Sequence, residues 1–160
     1  MSSLAVSPSL ISSSFRGLAV TLVAADHQQI THIKAHRLPV GCFSPDAQPG
    51  LEQDGVIWLG PNERIAVGIE PPQVAEGVFA TDASHQYTVV DIKGRNMLQL
   101  IQTGTGAFPG KIGGATRLLF TDISLIVRYL DTDHAQCLVD RSVAQWFWDY
   151  LVDRIEALGL

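Results

Sequence analysis

Cations never cluster in this sequence. Its 11 lysines and arginines are scattered through 160 residues, and 16 acidic residues outnumber them, for a formal net charge of −5. A phosphate backbone is held by grouped positive charge, so nothing here points to a nucleic-acid partner. Cysteine is equally scarce. Cys42 and Cys137 are too few for a disulfide framework or a four-cysteine zinc site. Both lie in apolar neighbourhoods, which predicts buried free thiols and suits a reducing cytoplasm. Long hydrophobic runs are missing too: "GLAVTLVAA", Gly17 to Ala25, falls far short of the roughly 20 residues that a membrane-spanning helix needs. No segment repeats at a useful period.

What is present is a globular composition. Hydrophobic residues make up 46% and charged residues 17%, which fits one domain large enough to bury a core. A mean hydropathy of +0.18 suits a subunit that hides surface against a partner, and equally a well-filled core. The apolar run at Gly17 has two readings. It resembles the core of a secretory signal ending near Ala25, but the serine-rich stretch before it carries only Arg16 as a cation. The expectation is therefore a flexible tail over residues 1–16, a first strand over Leu18 to Ala24, and one domain over 17–160.

Along the chain, Asp26 is placed to cap a helix running to about Arg37, where Pro39 stops it. Val40 to Asp54 reads as a loop. Strands at Val56 to Leu59 and Arg64 to Val67 flank the turn "GPNE", and Pro71 and Pro72 suit the first turn of a short helix over Gln73 to Phe79. Tyr87 to Lys93 alternates as a strand with one buried side; Gly94 ends it, and a helix over Arg95 to Gln102 follows. Ala115 to Asp140 reads as an antiparallel meander with turns at "TDIS" and "DTDH". Arg141 to Leu158 is the clearest helix. Val143, Phe147, Leu151, Ile155 and Leu158 form its apolar stripe, widened by Ala144, Trp148 and Val152 on one side and by Trp146 and Tyr150 on the other. An apolar arc of roughly 240° is more than one sheet covers. Trp146, Trp148, Tyr150 and Val152 are therefore the candidate partner interface; partly exposed aromatics at a domain edge are the plainer reading.

Three stretches imitate reactive sites. Asp82, Ser84 and His85 crowd an acid, a hydroxyl and an imidazole together, but neighbours at a strand start point apart, so turn formation explains them better than a triad. His32 and His36 in "HIKAH" have metal-pair spacing on a helix, yet Ile33 stands where a zinc protease carries glutamate. With His27 they read as a solvated face. "GTGAFPGKIGG", Gly104 to Gly114, fails as a phosphate loop: its spacing is wrong, Ile112 replaces the hydroxyl residue that would hold magnesium, and a helix precedes it. Pro109 likewise defeats the dinucleotide pattern. The expectation is no catalytic residue, no cofactor-binding residue and no metal ligand in this chain.

Longer stretches carry a resemblance. "WLGPNERIAV" from Trp58, "DASHQYTVVDIKG" from Asp82, "AFPGKIGGATRLLF" from Ala107 and "RSVAQWFWDYL" from Arg141 resemble, in order and spacing, motifs of the gamma subunit of heterotetrameric sarcosine oxidase. That family is related to the folate-binding domain of aminomethyltransferases. The resemblance covers Val56 to Leu158 and departs from the family at "QTGTGAF", where a lysine-glycine-cysteine-proline segment is usual. It implies a single α+β domain, a mostly antiparallel sheet flanked by helices. It further implies a non-catalytic subunit of an oxidoreductase complex, bound to larger flavoprotein and folate-domain subunits. In that complex sarcosine is oxidatively demethylated and the one-carbon unit passes to tetrahydrofolate, with FAD, FMN, NAD and zinc held by the other subunits. The alternative is a stand-alone folate-binding or one-carbon-transfer protein, in which His85 and Arg95 would contact an anionic glutamate tail. A scaffold in an unrelated complex stays open as well.

Overall fold

The computed structural model describes residues 14–17, 19–25, 28–36, 52–70, 75–106 and 111–160. The expectations for Asp26, His27, Cys42 and Pro71–Pro72 lie outside them.

Alternating side chains build two stacked antiparallel sheets. The first joins β1 (Ser14–Arg16), β2 (Thr21–Ala25), β8 (Tyr87–Lys93), β9 (Ala115–Phe120), β10 (Ile123–Asp131) and β11 (His134–Asp140) in the order β1-β2-β8-β11-β10-β9. The second joins β3 (Ile30–Ala35), β4 (Glu52–Gln53), β5 (Val56–Gly60), β6 (Glu63–Val67) and β7 (Val78–Asp82) in the order β4-β5-β6-β3-β7. Helices α1 (Met97–Gln102) and α2 (Ala144–Leu158) both lie on one face of the first sheet. The layers are therefore helices, first sheet, second sheet, in one α+β domain.

Each interlayer carries its own apolar set. Under the helices, Leu22, Val90, Ile92, Val127, Cys137 and Val139 of the first sheet meet Met97, Leu100, Phe147, Trp148, Leu151 and Ile155. Between the sheets, Val89, Ile126 and Leu138 meet Ile30, Ile57, Ile65 and Val67. A side chain of this size buried completely contributes about 1.5–3 kcal/mol, so the helix layer is the dominant source of cohesion.

Charged residues extend the contact between the sheets. Arg117 and Ile126 are cross-strand partners, as are Arg128 and Gln136, and both arginines face the second sheet. Arg128 donates from Nε to Glu52 Oε2 at 2.7 Å, and its terminal nitrogens donate to the other oxygen of Glu52 and to Gln136 Oε1. Gln136 passes the chain on to Asp91 Oδ1 at 3.4 Å, which also takes a bond from His134 Nε2 at 2.6 Å. Arg117 grips Glu63 with two bonds, 2.8 and 3.3 Å. His32 Nε2 reaches the same carboxylate at 2.6 Å.

The structure corrects four expectations. Residues 30–35 form a strand, not a helix: Ile30, Thr31 and Ile33 are β-branched, and β3 is paired on both sides, to β6 and β7. Val78 and Phe79 begin a strand instead of ending a helix, because Gly77 with φ 80° turns the chain first. The expected loop before Asp54 ends in β4, closed by Asp54–Gly55, both at positive φ, in a two-residue hairpin. Ser14–Arg16, assigned to the tail, pairs with Thr21–Val23. The meander, β8, α1 and α2 stand where the sequence places them; β8 is buried on both sides and not on one, because Val89 packs between the sheets while Val90 and Ile92 pack under the helices.

Two tests follow from this packing. Gly94 adopts φ 129°, and a β-carbon there would lie 2.0 Å from the Ala19 carbonyl oxygen. Gly94→Ala is expected to destabilise the fold by about 2 kcal/mol or more, read by thermal unfolding. Glu63 is held at about 2, below its ordinary 4.5, first by the Arg117 hydrogen bond, with His32 adding to it against the cost of burial. The folded state thus binds this proton more weakly than the unfolded chain. The stabilisation is complete above pH 4.5 and is lost as pH falls toward 2. Glu63→Gln is expected to lower stability at neutral pH by on the order of 1–3 kcal/mol and to flatten the acid limb of the stability–pH curve.

Candidate functional site

Helix α2 carries the candidate interface, and its two flanks differ. Ala144, Phe147, Trp148, Leu151 and Ile155 are buried, the spacing of a helix lying on a sheet. Trp148 is only 8% exposed. The structure therefore corrects its placement on a free rim: it belongs to the core of this chain. Val152 is half-buried and packs against the same core. Trp146 is 44% exposed and Leu158 47%.

Between core and rim stands Tyr150. Its ring meets Phe120 edge-on at 5.2 Å, and its hydroxyl donates to the Thr103 carbonyl at 2.9 Å, tying α2 to the end of α1. Trp146 leans on the outer side of Tyr150, 5.5 Å between ring centres. The Arg154 guanidinium lies over the Tyr150 ring at 5.1 Å. Trp146, Tyr150 and Arg154 follow one another at i, i+4 and i+8, so they form a ladder on one side of the helix. Arg154 was not singled out from the sequence; the same spacing that gives Trp146 and Tyr150 also gives it. An aromatic ladder ended by arginine has the composition of an interface centre.

The stretches that imitate reactive sites have structural roles. Asp82 Oδ1 accepts the Ser84 amide at 2.9 Å, and Gln86 N–H returns to the Ala83 carbonyl. Ser84 Oγ accepts the Ile30 amide at 2.9 Å. The trio is a turn pinned to β3, and its bonds from Ser84 hold the Asp82 carboxyl below its ordinary range. His32 points at Glu63 from a strand while His36 is exposed beyond the strand end, so the helical spacing that suggested a metal pair does not exist. Among the described residues no cluster of three or more His, Cys, Asp or Glu could hold a metal ion. Cys137 is buried as expected, and burial pushes its thiol well above the ordinary cysteine range.

His85 and Arg95 are exposed at opposite ends of β8. With about 3.3 Å per strand residue, they are separated by more than the length of that strand and do not converge on one tail. A recess of about 420 Å³ opens between Tyr87, Arg117, Ser124, Asp140 and Ser142. Its charges are engaged: Arg117 by Glu63, Asp140 by the amide and hydroxyl of Ser142 at 2.9 and 2.6 Å. The Gly104–Gly114 segment is described only at its two ends. Gly104 seats against the Phe120 ring, and a β-carbon there would lie 2.2 Å from it.

No protein-family model matches this chain, and no curated protein does. A solved structure matches over nearly its whole length: heterotetrameric sarcosine oxidase from Corynebacterium sp. U-96 in complex with pyrrole 2-carboxylate. The TM-score is 0.78 at 16% identity, over 91% of this chain and 88% of that one. The likeness is one of fold, and it meets the resemblance carried by the sequence motifs: this chain has the fold of a subunit of heterotetrameric sarcosine oxidase.

Proposed function

We propose that this chain is a non-catalytic, gamma-type subunit of a sarcosine oxidase-like flavoenzyme complex. The observation that carries the reading is the fold shared with a chain of a heterotetrameric enzyme over nine-tenths of the molecule. The exposed ladder of α2 supports it, because a half-exposed tryptophan backed by a fixed tyrosine offers apolar area at small entropic cost. In this reading the chain binds a larger flavoprotein subunit through Trp146, Tyr150 and the Val152 flank. Oxidative demethylation of sarcosine or a related N-methyl amine takes place in the partners. FAD, FMN, NAD, zinc and tetrahydrofolate belong to them too, and the assembly works in the cytoplasm.

The division of labour along α2 supplies the test. Trp146→Asp is expected to leave the isolated chain folded, within about 0.5 kcal/mol of the parent, and to weaken co-purification with the co-expressed large subunit by at least tenfold. Trp148→Asp is expected to unfold the chain, since it buries a charge in the core. Undiminished association of the folded Trp146 variant removes the docking surface. Tetrahydrofolate binding by the isolated chain, measured by calorimetry, favours the stand-alone alternative instead.

A further inference from the structure

Strand β7 is the last of its sheet, paired to β3 on one side. Its register fixes which backbone groups are spent. The Ala83 amide donates to the Ile30 carbonyl at 2.8 Å, which marks that facing pair as hydrogen-bonded. Antiparallel pairs alternate, so Thr81 and Phe79 direct their amides and carbonyls at His32 and Lys34. The neighbouring strand agrees: the Ala35 amide donates the other way, to Asn62 of the β5–β6 turn, leaving the even-numbered residues of β3 for β7. Ala80 and Asp82 therefore point their amides and carbonyls away from the sheet, and the Val78 carbonyl does the same. Among the described residues no strand occupies that side.

Among the described residues this edge is open, and its own side chains do not blunt it. Phe79, Ala80, Thr81 and Asp82 are all exposed, Phe79 at 70%. Natural edges are guarded by lysine, proline or a bulge, and the register of β7 against β3 runs unbroken from Val78 to Asp82. The charges at its ends are of one sign: Glu76 lies just before the strand and Asp82 closes it, both exposed. Two copies joined antiparallel about Ala80 would bring the Asp82 end of each strand to the start of the other, where the turn carries Glu76, so acidic ends would meet twice over and repel.

We infer that the free edge of β7 accepts an extended segment of a different polypeptide, uncharged in its centre and cationic at its ends. The segment adds an antiparallel strand to the second sheet. Its backbone bonds Ala80 and Asp82, one apolar side chain lies beside Phe79, and its terminal cations meet Glu76 and Asp82. This surface is separate from the α2 ladder, being carried by the second sheet while the helices lie beyond the first.

Amide hydrogen exchange tests the inference on the full chain. The probes are a synthetic alternating threonine–valine peptide with lysine at both ends, and the same peptide ended by glutamates. In the free chain Ala80 and Asp82 are expected to exchange at least tenfold faster than Phe79 and Thr81. The lysine-ended peptide is expected to slow Ala80 and Asp82 by tenfold or more and leave Phe79 and Thr81 unchanged; the glutamate-ended peptide is expected to have no effect. Ala80→Pro removes only an outward amide, so it is expected to abolish peptide binding with the fold intact by circular dichroism. Equal protection by both peptides, or none by either, overturns the inference; because this is read on the parent chain, it stands even if the proline variant fails to fold. Protection of the same amides that grows with protein concentration alone assigns the edge to a second copy and overturns it too.

Discussion

Two arginines decide how the halves of this molecule meet. Arg117 and Arg128 lie on the face of the first sheet that also carries Ile126 and Leu138, so closing the second sheet over that apolar surface takes the Arg128 guanidinium out of water, while Arg117 sits at the rim with its side chain 40% exposed. A buried cation without a carboxylate costs several kcal/mol. Glu52 and Glu63, from separate strands of the second sheet, supply the two carboxylates. Such pairs add less to net stability than hydrophobic groups of the same size. Their effect is on alignment: sliding one sheet over the other by one residue would strand the buried Arg128 and pull Arg117 away from Glu63. The polar row continues through Gln136 and Asp91 to His134, so the constraint reaches across three strands of the first sheet.

Helices on one side only leave α2 with a split duty. Its core-facing residues close the first sheet, and Gly159 at φ 64° ends the helix so that the Leu160 amide can return to the Ile155 carbonyl at 3.0 Å. Among the described residues, none covers the helix's exposed apolar side chains, Trp146 and Leu158. Tyr150 marks the boundary, because its ring packs on Phe120 while its outer side carries Trp146 and Arg154. With its ring on Phe120 and its hydroxyl on the Thr103 carbonyl, Tyr150 would lose little side-chain entropy if a partner covered this flank.

The parts legible in the sequence are those in which local pattern and tertiary environment agree. In β8 and the meander, alternate residues go to the helix layer and to the second sheet, so a period of two runs through them, and α2 shows the stripe that a sheet-bound helix must have. The second sheet is harder to read because its strands are short and β3, an inner strand, is covered on both faces. Ile30 and Ile33 then fall on opposite sides of β3 yet match helical spacing in a list of letters. Asp54–Gly55 carried a hairpin signal that the surrounding loop composition hid. The apolar arc of α2 was visible, but which flank is interior depends on Phe120 and Leu100, which are remote in sequence. Arg117 with Glu63, and Arg128 with Glu52, leave no local trace at all, since each pair joins residues 54 and 76 positions apart.

The three tryptophans occupy three different surroundings. Trp58 lies under the Arg64 guanidinium at 5.6 Å on the second sheet, Trp148 is sealed in the helix layer, and Trp146 is half in solvent against Tyr150. Indole emission shifts to the blue as water is removed and is quenched by nearby charge. The protein therefore carries separate optical signals for its outer sheet, its interior and its α2 surface, and single-tryptophan versions can follow melting and assembly without any added dye.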